Sequence, residues 1–261
     1  MKVTATARTL GPRLTLRRAA TEQHPAPVVR LATASVLAAL AVAGTGGTAA
    51  ATPTAPLPGF SWSGTESSSL VGNLDALLLN ARQVSRIAGT NGDLRESEVT
   101  SNLSTRYTVT PSRCLSAYAP GQAGAYSDAS PVQAAFKSVA STRDSETDRL
   151  TVWEGVVQFD TKQDSLAFMT STASAWRSCG GLTVTEAEGG SWDMGQPKVN
   201  DERTVVTLEQ ESSDRSTSCE RAMAAYRNVF IDVMYCSPDH SASGKAAAVV
   251  NGIAQQAAAP S

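Results

Sequence analysis

The sequence predicts an α+β fold, in which one antiparallel sheet carries helices mainly on one face and two disulfides staple the chain. Three observations lead there. The stretch Cys219 to Cys236, CERAMAAYRNVFIDVMYC, reads as a hairpin turning on Arg227-Asn228. Pairing outward from that turn sets Cys219 opposite Cys236 at a non-hydrogen-bonded site, where facing side chains come close enough for a disulfide. A second strand signal, RLTVWEGVVQF from Arg149 to Phe159, alternates as a sheet strand does, and three separate segments repeat apolar residues at helical spacing. Strands pairing antiparallel, with helices set between and after them, define the α+β class.

In chain order, Leu74, Leu77, Leu78, Ala81, Val84 and Ala88 recur at helical spacing from Asn73, and Gly89 stands where a C-terminal cap belongs. Asn91 to Thr100 is polar. Thr105 to Thr110 alternates as a short strand ahead of Pro111 and Cys114, and Tyr118 to Ser130 reads as a loop. Val132 to Ala140 fits helix or strand, and periodicity does not decide between them. After the Arg149 to Phe159 strand, Asp160 or Thr161 offers an N-cap to a helix with a buried stripe of Leu166, Met169, Ala173 and Trp176, ending at Cys179 and Gly180-Gly181. Leu182 to Ala187 and Thr204 to Gln210 form the next expected strand pair, around a loop containing Trp192. Ala246, Val249, Val250, Ile253 and Ala257 mark a last helix, expected to cover the core face of the sheet.

The hairpin register sorts its two faces. Tyr226, Ala224, Ala222, Val229, Ile231 and Val233 make a core face of small, β-branched and aromatic groups. The opposite face carries Arg221, Met223, Phe230, Asp232, Met234 and the two cysteines. Arg221 and Asp232 are diagonal neighbours there, placed for an ion pair on a half-exposed face. Two readings of that face stand together: a structural salt bridge, or the floor of a ligand cleft to which Trp192 adds a stacking wall.

The first thirty residues are basic, and Leu31 to Ala43 is an apolar run of signal-peptide length followed by Ala49-Ala50-Ala51, an A-x-A cleavage pattern. Residues 1–51 therefore read as a leader, 52–69, rich in Pro, Ser, Thr and Gly, as a flexible tether, and 70–261 as the folded domain. An Arg17-Arg18 pair stands far from the apolar run, and a start near Val28 or Val29 would shorten the basic region. No cysteine precedes Cys114, so no lipobox is expected, and no membrane anchor remains once the leader is cut. Export to the extracytoplasmic space suits four cysteines pairing as two disulfides. The hairpin selects Cys219 with Cys236, which leaves Cys114 with Cys179.

Residues 1–51 hold six of the 22 basic and one of the 24 acidic side chains, so the remainder carries a net charge of about −7. Such a surface does not suit nucleic acid. Beyond the leader the chain has one histidine, His240, in a polar SPDHS loop, so a Ser-His-Asp arrangement would have to use it. With one histidine and paired cysteines, no zinc or other metal site is expected, nor any cofactor. The motifs GxSxG, GxxxxGK[ST], HExxH and GxGxxG are absent. Asp144, Glu146 and Asp148 read as a solvated turn.

LDALLLNARQVSRIAG, then AWRSC, then SWDMG around Trp192, then CERA followed by NVFIDVMYC and the alanine-rich last helix, resemble the PknH-like extracellular sensor domains, found on a mycobacterial serine/threonine kinase and in small envelope lipoproteins. The resemblance spans about Leu70 to Ala258, and Cys114, Cys179, Cys219 and Cys236 match that family's four cysteines in order. It implies an α+β domain with a large cleft for an extracytoplasmic ligand. The chain departs from the family's kinase and lipoprotein contexts, having neither a kinase domain nor a lipobox. The expected function is that of an exported, non-enzymatic ligand-binding or sensor module, its partner a small molecule or lipid of the envelope. The alternatives are a hydrolase using His240 and a structural or protein-binding envelope component.

Overall fold

The computed structural model describes residues 72–90, 94–142, 149–202 and 204–259. The leader, the tether and the Asp144, Glu146 and Asp148 turn lie outside the described residues. In order come a 3-10 turn (Leu74–Leu77), α1 (Ala81–Ala88), β1 (Leu94–Glu96), β2 (Val109–Thr110), a 3-10 turn (Ser112–Cys114) running into α2 (Leu115–Tyr118), and a 3-10 turn (Ala123–Tyr126). Then follow β3 (Gln133–Ser141), β4 (Thr151–Gln158), α3 (Lys162–Cys179), β5 (Thr183–Glu186), β6 (Ser191–Met194), β7 (Lys198–Val199), β8 (Val206–Ser212), β9 (Ser218–Tyr226), β10 (Val229–Ser237) and α4 (Lys245–Ala258).

The strands form one antiparallel sheet in the order β1-β3-β4-β10-β9-β8-β6-β5-β2, with β7 pairing β8 beside it. The hairpin β9–β10 is its centre. Tyr226 pairs with Val229 and Cys219 with Cys236, in the predicted register. Both disulfides are present, Cys114–Cys179 and Cys219–Cys236. With sequence separations of 65 and 17, the chain-entropy model assigns them about 4 and about 3 kcal/mol.

Two elements differ from the sequence expectation, and one that it left open is decided. Of Val132 to Ala140, open between helix and strand, all but Val132 belongs to strand β3, which pairs with β4 from Gln133 to Ala140. Trp192 lies in a strand, β6, which inserts between β5 and β8, so those two do not pair directly. The expected first helix is broken at Leu78 and Leu79, whose buried side chains turn into the core. Asn80 restarts it through a capping box with Gln83, and Gly89 closes it in the left-handed conformation.

The helices divide between the two faces, where the sequence pattern placed them mainly on one. α4 and α1 cover the face of Ala222, Ala224, Val229, Ile231 and Val233. There Leu79 N–H donates to Glu154 Oε2 at 2.7 Å, while Glu154 Oε1 is buried without a partner. Burial pushes the Glu154 carboxyl up to about 7 against the opposing pull of that N–H. α4 has no side-chain cap of its own, since its N-cap is Gly244. Glu220 on β9 replaces it, accepting from the N–H groups of Gly244, Ala246 and Ala247 at 2.9, 2.8 and 3.3 Å. The opposite face is covered by α3, whose Met169, Ala173 and Trp176 pack with Met223, Ala225, Phe230 and Leu208. The Cys114–Cys179 bond ties the start of α2 to the end of α3.

Candidate functional site

Starting at the turn, the α3-side face of the hairpin runs Ala225 with Phe230, then the diagonal pair Arg221 and Asp232 beside Met223, then Met234 and the disulfide. α3 covers the first part of this face and leaves the last part open. Met223 and Phe230 are buried in the α3 cluster, and Arg221 and Asp232 are 1% and 3% exposed. These four side chains lie in the interior, not on the half-exposed face their composition suggested, because α3 packs on Met223, Phe230 and Arg221 and the segment 116–126 closes over Asp232.

The buried pair has a defined task. Arg221 Nη2 lies 2.5 Å from Asp232 Oδ1 and donates to the Ser116 carbonyl at 3.1 Å, with its guanidinium 5.3 Å from the Trp176 ring centre. Asp232 Oδ2 accepts from Gly121 N–H at 3.0 Å and from the Tyr126 hydroxyl at 3.1 Å. Together the pair clips residues 116–126 onto the sheet. Burial raises the Asp232 carboxyl and lowers the Arg221 guanidinium, and each partner's charge opposes its neighbour's shift.

Beyond the reach of α3 the clipped segment forms one wall of a groove. Met234, the Cys219–Cys236 disulfide, Trp153 and Trp192 make a small cluster of their own at its floor. One pocket of about 230 Å³ is lined by Arg106, Tyr107, Gln122, Phe136, Trp153 and Met234 among others. An adjoining pocket of about 200 Å³ shares Tyr107, Trp153 and Met234 and adds Tyr118, Arg149, Trp192 and Gln210. Of the six predicted cleft residues, the structure thus brings Met234 and Trp192 together in a groove and buries the rest.

The groove is preorganised. Tyr107 meets Tyr118 edge-on at 5.4 Å, and Tyr118 meets Trp192 edge-on at 6.4 Å. The Tyr118 hydroxyl donates to Glu186 at 2.8 Å, and burial, reinforced by that carboxylate, holds the phenol above the usual tyrosine range and therefore neutral. Phe136 packs against Gly121 and Gly155, where an added Cβ would sit 2.7 and 2.4 Å from its ring. Gln122 Oε1 accepts from Tyr107 N–H, and Gln210 Nε2 donates to the Ala117 and Tyr118 carbonyls, so both amides brace the wall.

Tyr107, Trp153 and the two arginines escaped the sequence reading. Trp153 was readable as one face of the β4 strand, but its place opposite Met234 depends on the β4–β10 pairing.

A larger trough of about 620 Å³ lies between α3 and residues 112–130. It is lined largely by serine, alanine and aspartate, a solvated composition that lacks the apolar majority of a ligand site. His240 sits in an exposed turn, its Nδ1 3.9 Å from Glu211 Oε1, and among the described residues no serine hydroxyl bonds to it. Among the described residues no three His, Cys, Asp or Glu side chains converge as metal ligands, and no helix is long and apolar enough to cross a membrane.

The geometry has known relatives. The chain is 28% identical over 171 residues to the serine/threonine-protein kinase PknH of Mycobacterium bovis, and equally to that of Mycobacterium tuberculosis. The match covers 62% of this chain but only 27% and 26% of those kinases. The chain thus spans about a quarter of their length. Among solved structures, the extracellular domain of PknH from Mycobacterium tuberculosis superposes with a TM-score of 0.67 at 23% identity, over 73% of this chain and 98% of that one, which shows a shared fold. The sequence pattern of the PknH-like extracellular domain matches residues 70–259, and the chain belongs to that family.

Proposed function

We propose that this protein is an exported, sensor-like module of the cell envelope that binds a small molecule in the groove beside the Cys219–Cys236 disulfide and performs no chemistry on it. One observation carries the proposal: where α3 stops covering the hairpin, Tyr107, Trp153, Trp192 and Met234 line two adjoining pockets. Ligand sites combine an apolar lining with a few placed polar groups. Here Asn102 and Thr217 bring polar side chains to the lining, and Gln122 and Gln210 brace a wall clipped to the buried Arg221–Asp232 pair. Export follows the leader pattern of residues 1–51, and the family's extracellular setting agrees with it. N-terminal sequencing of the native protein checks the cut near Ala51, and an uncut leader in the cytosolic fraction would overturn export.

The binding test is mass spectrometry of small molecules that co-purify with the intact secreted protein, compared with a Trp153→Ala variant of matched fold. Wild type should retain a compound that the variant loses. A wild type that retains nothing, and whose melting temperature responds to no fraction of an envelope extract, would overturn the binding reading.

A further inference from the structure

The groove's charges do not match those of the domain around it. Beyond the leader the protein is acidic, at about −7. Yet the first pocket is lined by Arg106 and the second by Arg149, both exposed and neither in an ion pair among the described residues. The other charged residues that line the two pockets, Glu154 and Lys137, are already engaged. Glu154 turns its carboxylate to Leu79 N–H on the far face of the sheet, and Lys137 bonds Glu96 at 2.7 Å. Glu186, behind Tyr118, accepts that residue's hydroxyl. Arg106 also lies 5.2 Å from the Tyr107 ring, which holds its guanidinium over the aromatic wall.

Between the arginines the shared surface is apolar and polarizable: Trp153, Met234 and the Tyr107 ring. Gln210 has both its N–H groups spent on backbone carbonyls, while among the described residues nothing donates to its Oε1. It remains an acceptor beside the second pocket. Only together do the two adjoining pockets, of about 230 and 200 Å³, reach the low end of ligand-site sizes. That size suits a single chain or a ring system and is too small for a whole diacyl lipid.

We infer that the groove is built for a small amphipathic organic anion, with an aromatic or single-acyl body on Trp153 and Met234 and a carboxylate, sulfate or phosphate head at Arg106 or Arg149. The inference rests on the proposal that this groove binds a ligand, and it places the anion-recognising role on two exposed arginines. A guanidinium fork pairs bidentately with such heads, and a shared charge-assisted hydrogen bond sets the selectivity over neutral analogues.

The test uses the intact, disulfide-bonded protein and a matched pair of fluorescent probes, 1-anilinonaphthalene-8-sulfonate and the uncharged N-phenyl-1-naphthylamine. Wild type should bind the sulfonate more tightly, and added salt should weaken only that probe. The double variant Arg106→Gln/Arg149→Gln, with unchanged near-ultraviolet circular dichroism, should lose about tenfold or more in sulfonate affinity and keep its affinity for the neutral probe. Displacement by dodecanoate but not by naphthoate identifies an acyl body, and the converse an aryl body. Equal binding of both probes, untouched by the double variant, would overturn the anion assignment while leaving a ligand groove in place. Binding of neither probe would overturn the groove itself. Association with anionic vesicles alone, without displacement by monomeric anions, would show a membrane contact and overturn the inference.

Discussion

Replacing Arg221 by glutamine tests the interior role of the Arg221–Asp232 pair directly. The substitution removes the 2.5 Å contact to Asp232 and the 3.1 Å bond to the Ser116 carbonyl, leaving a carboxylate that is 3% exposed without its counter-charge. Breaking a buried pair from one side costs about 3–5 kcal/mol. For a domain of this size each kcal/mol lowers the melting temperature by about 2–4 °C, so a loss of about 6–20 °C is expected near pH 7. The sign of the pH dependence adds a second check. Burial already raises the Asp232 carboxyl in the folded state, and loss of Arg221 removes the charge that opposes this rise. A folded-state value above the unfolded one contributes stability in full below the unfolded value of 3.8, and that contribution is lost as pH rises through the folded value. The deficit of Arg221→Gln should therefore shrink as pH falls from about 7 to about 4. The double variant Arg221→Met/Asp232→Asn should recover part of the loss. Urea unfolding followed by tryptophan fluorescence measures all three. A melting temperature within about 2 °C of wild type, or a deficit that grows on acidification, would refute an interior pair.

Two further substitutions test the other buried acids. Glu154 titrates at about 7 when folded against 4.5 when unfolded, so wild-type stability should fall by about 3 kcal/mol as pH rises from about 4 to about 8. Glu154→Gln should flatten that slope in urea unfolding, and a slope that survives the substitution would exonerate Glu154. Glu220→Ala removes the acceptor for three N–H groups at the start of α4 and should cost about 1–3 kcal/mol. Faster hydrogen exchange is expected at Gly244, Ala246 and Ala247, and unchanged exchange there would refute the capping role.

What the sequence disclosed followed the range of the interaction involved. The hairpin register was legible because a two-residue turn sets every pairing outward from it, through to Cys219 and Cys236. The stripe of α3 was legible too, as Met169, Ala173 and Trp176. What it covers was not, since nothing local says onto which side of the sheet a helix returns. That missing fact turned Arg221, Met223, Phe230 and Asp232 from a half-exposed face into interior, and it left Met234 and Trp192 as the visible part of the groove. Trp192 read as a loop because Gly189 and Gly190 precede it. Both glycines take positive φ in a tight turn, which leads straight into β6.

The sheet also determines how the protein behaves beside its own copies. Its outermost strands are β1 and β2, three and two residues long, and the Thr100–Phe136 bridge continues the cover that β1 gives to β3. A long bare edge is a template on which a neighbouring chain adds a strand, and short edges deny that template. The longest strands, with their most apolar residues, are enclosed at the centre, where the covalent hairpin lies. At high local concentration this arrangement of the described strands resists edge-to-edge aggregation.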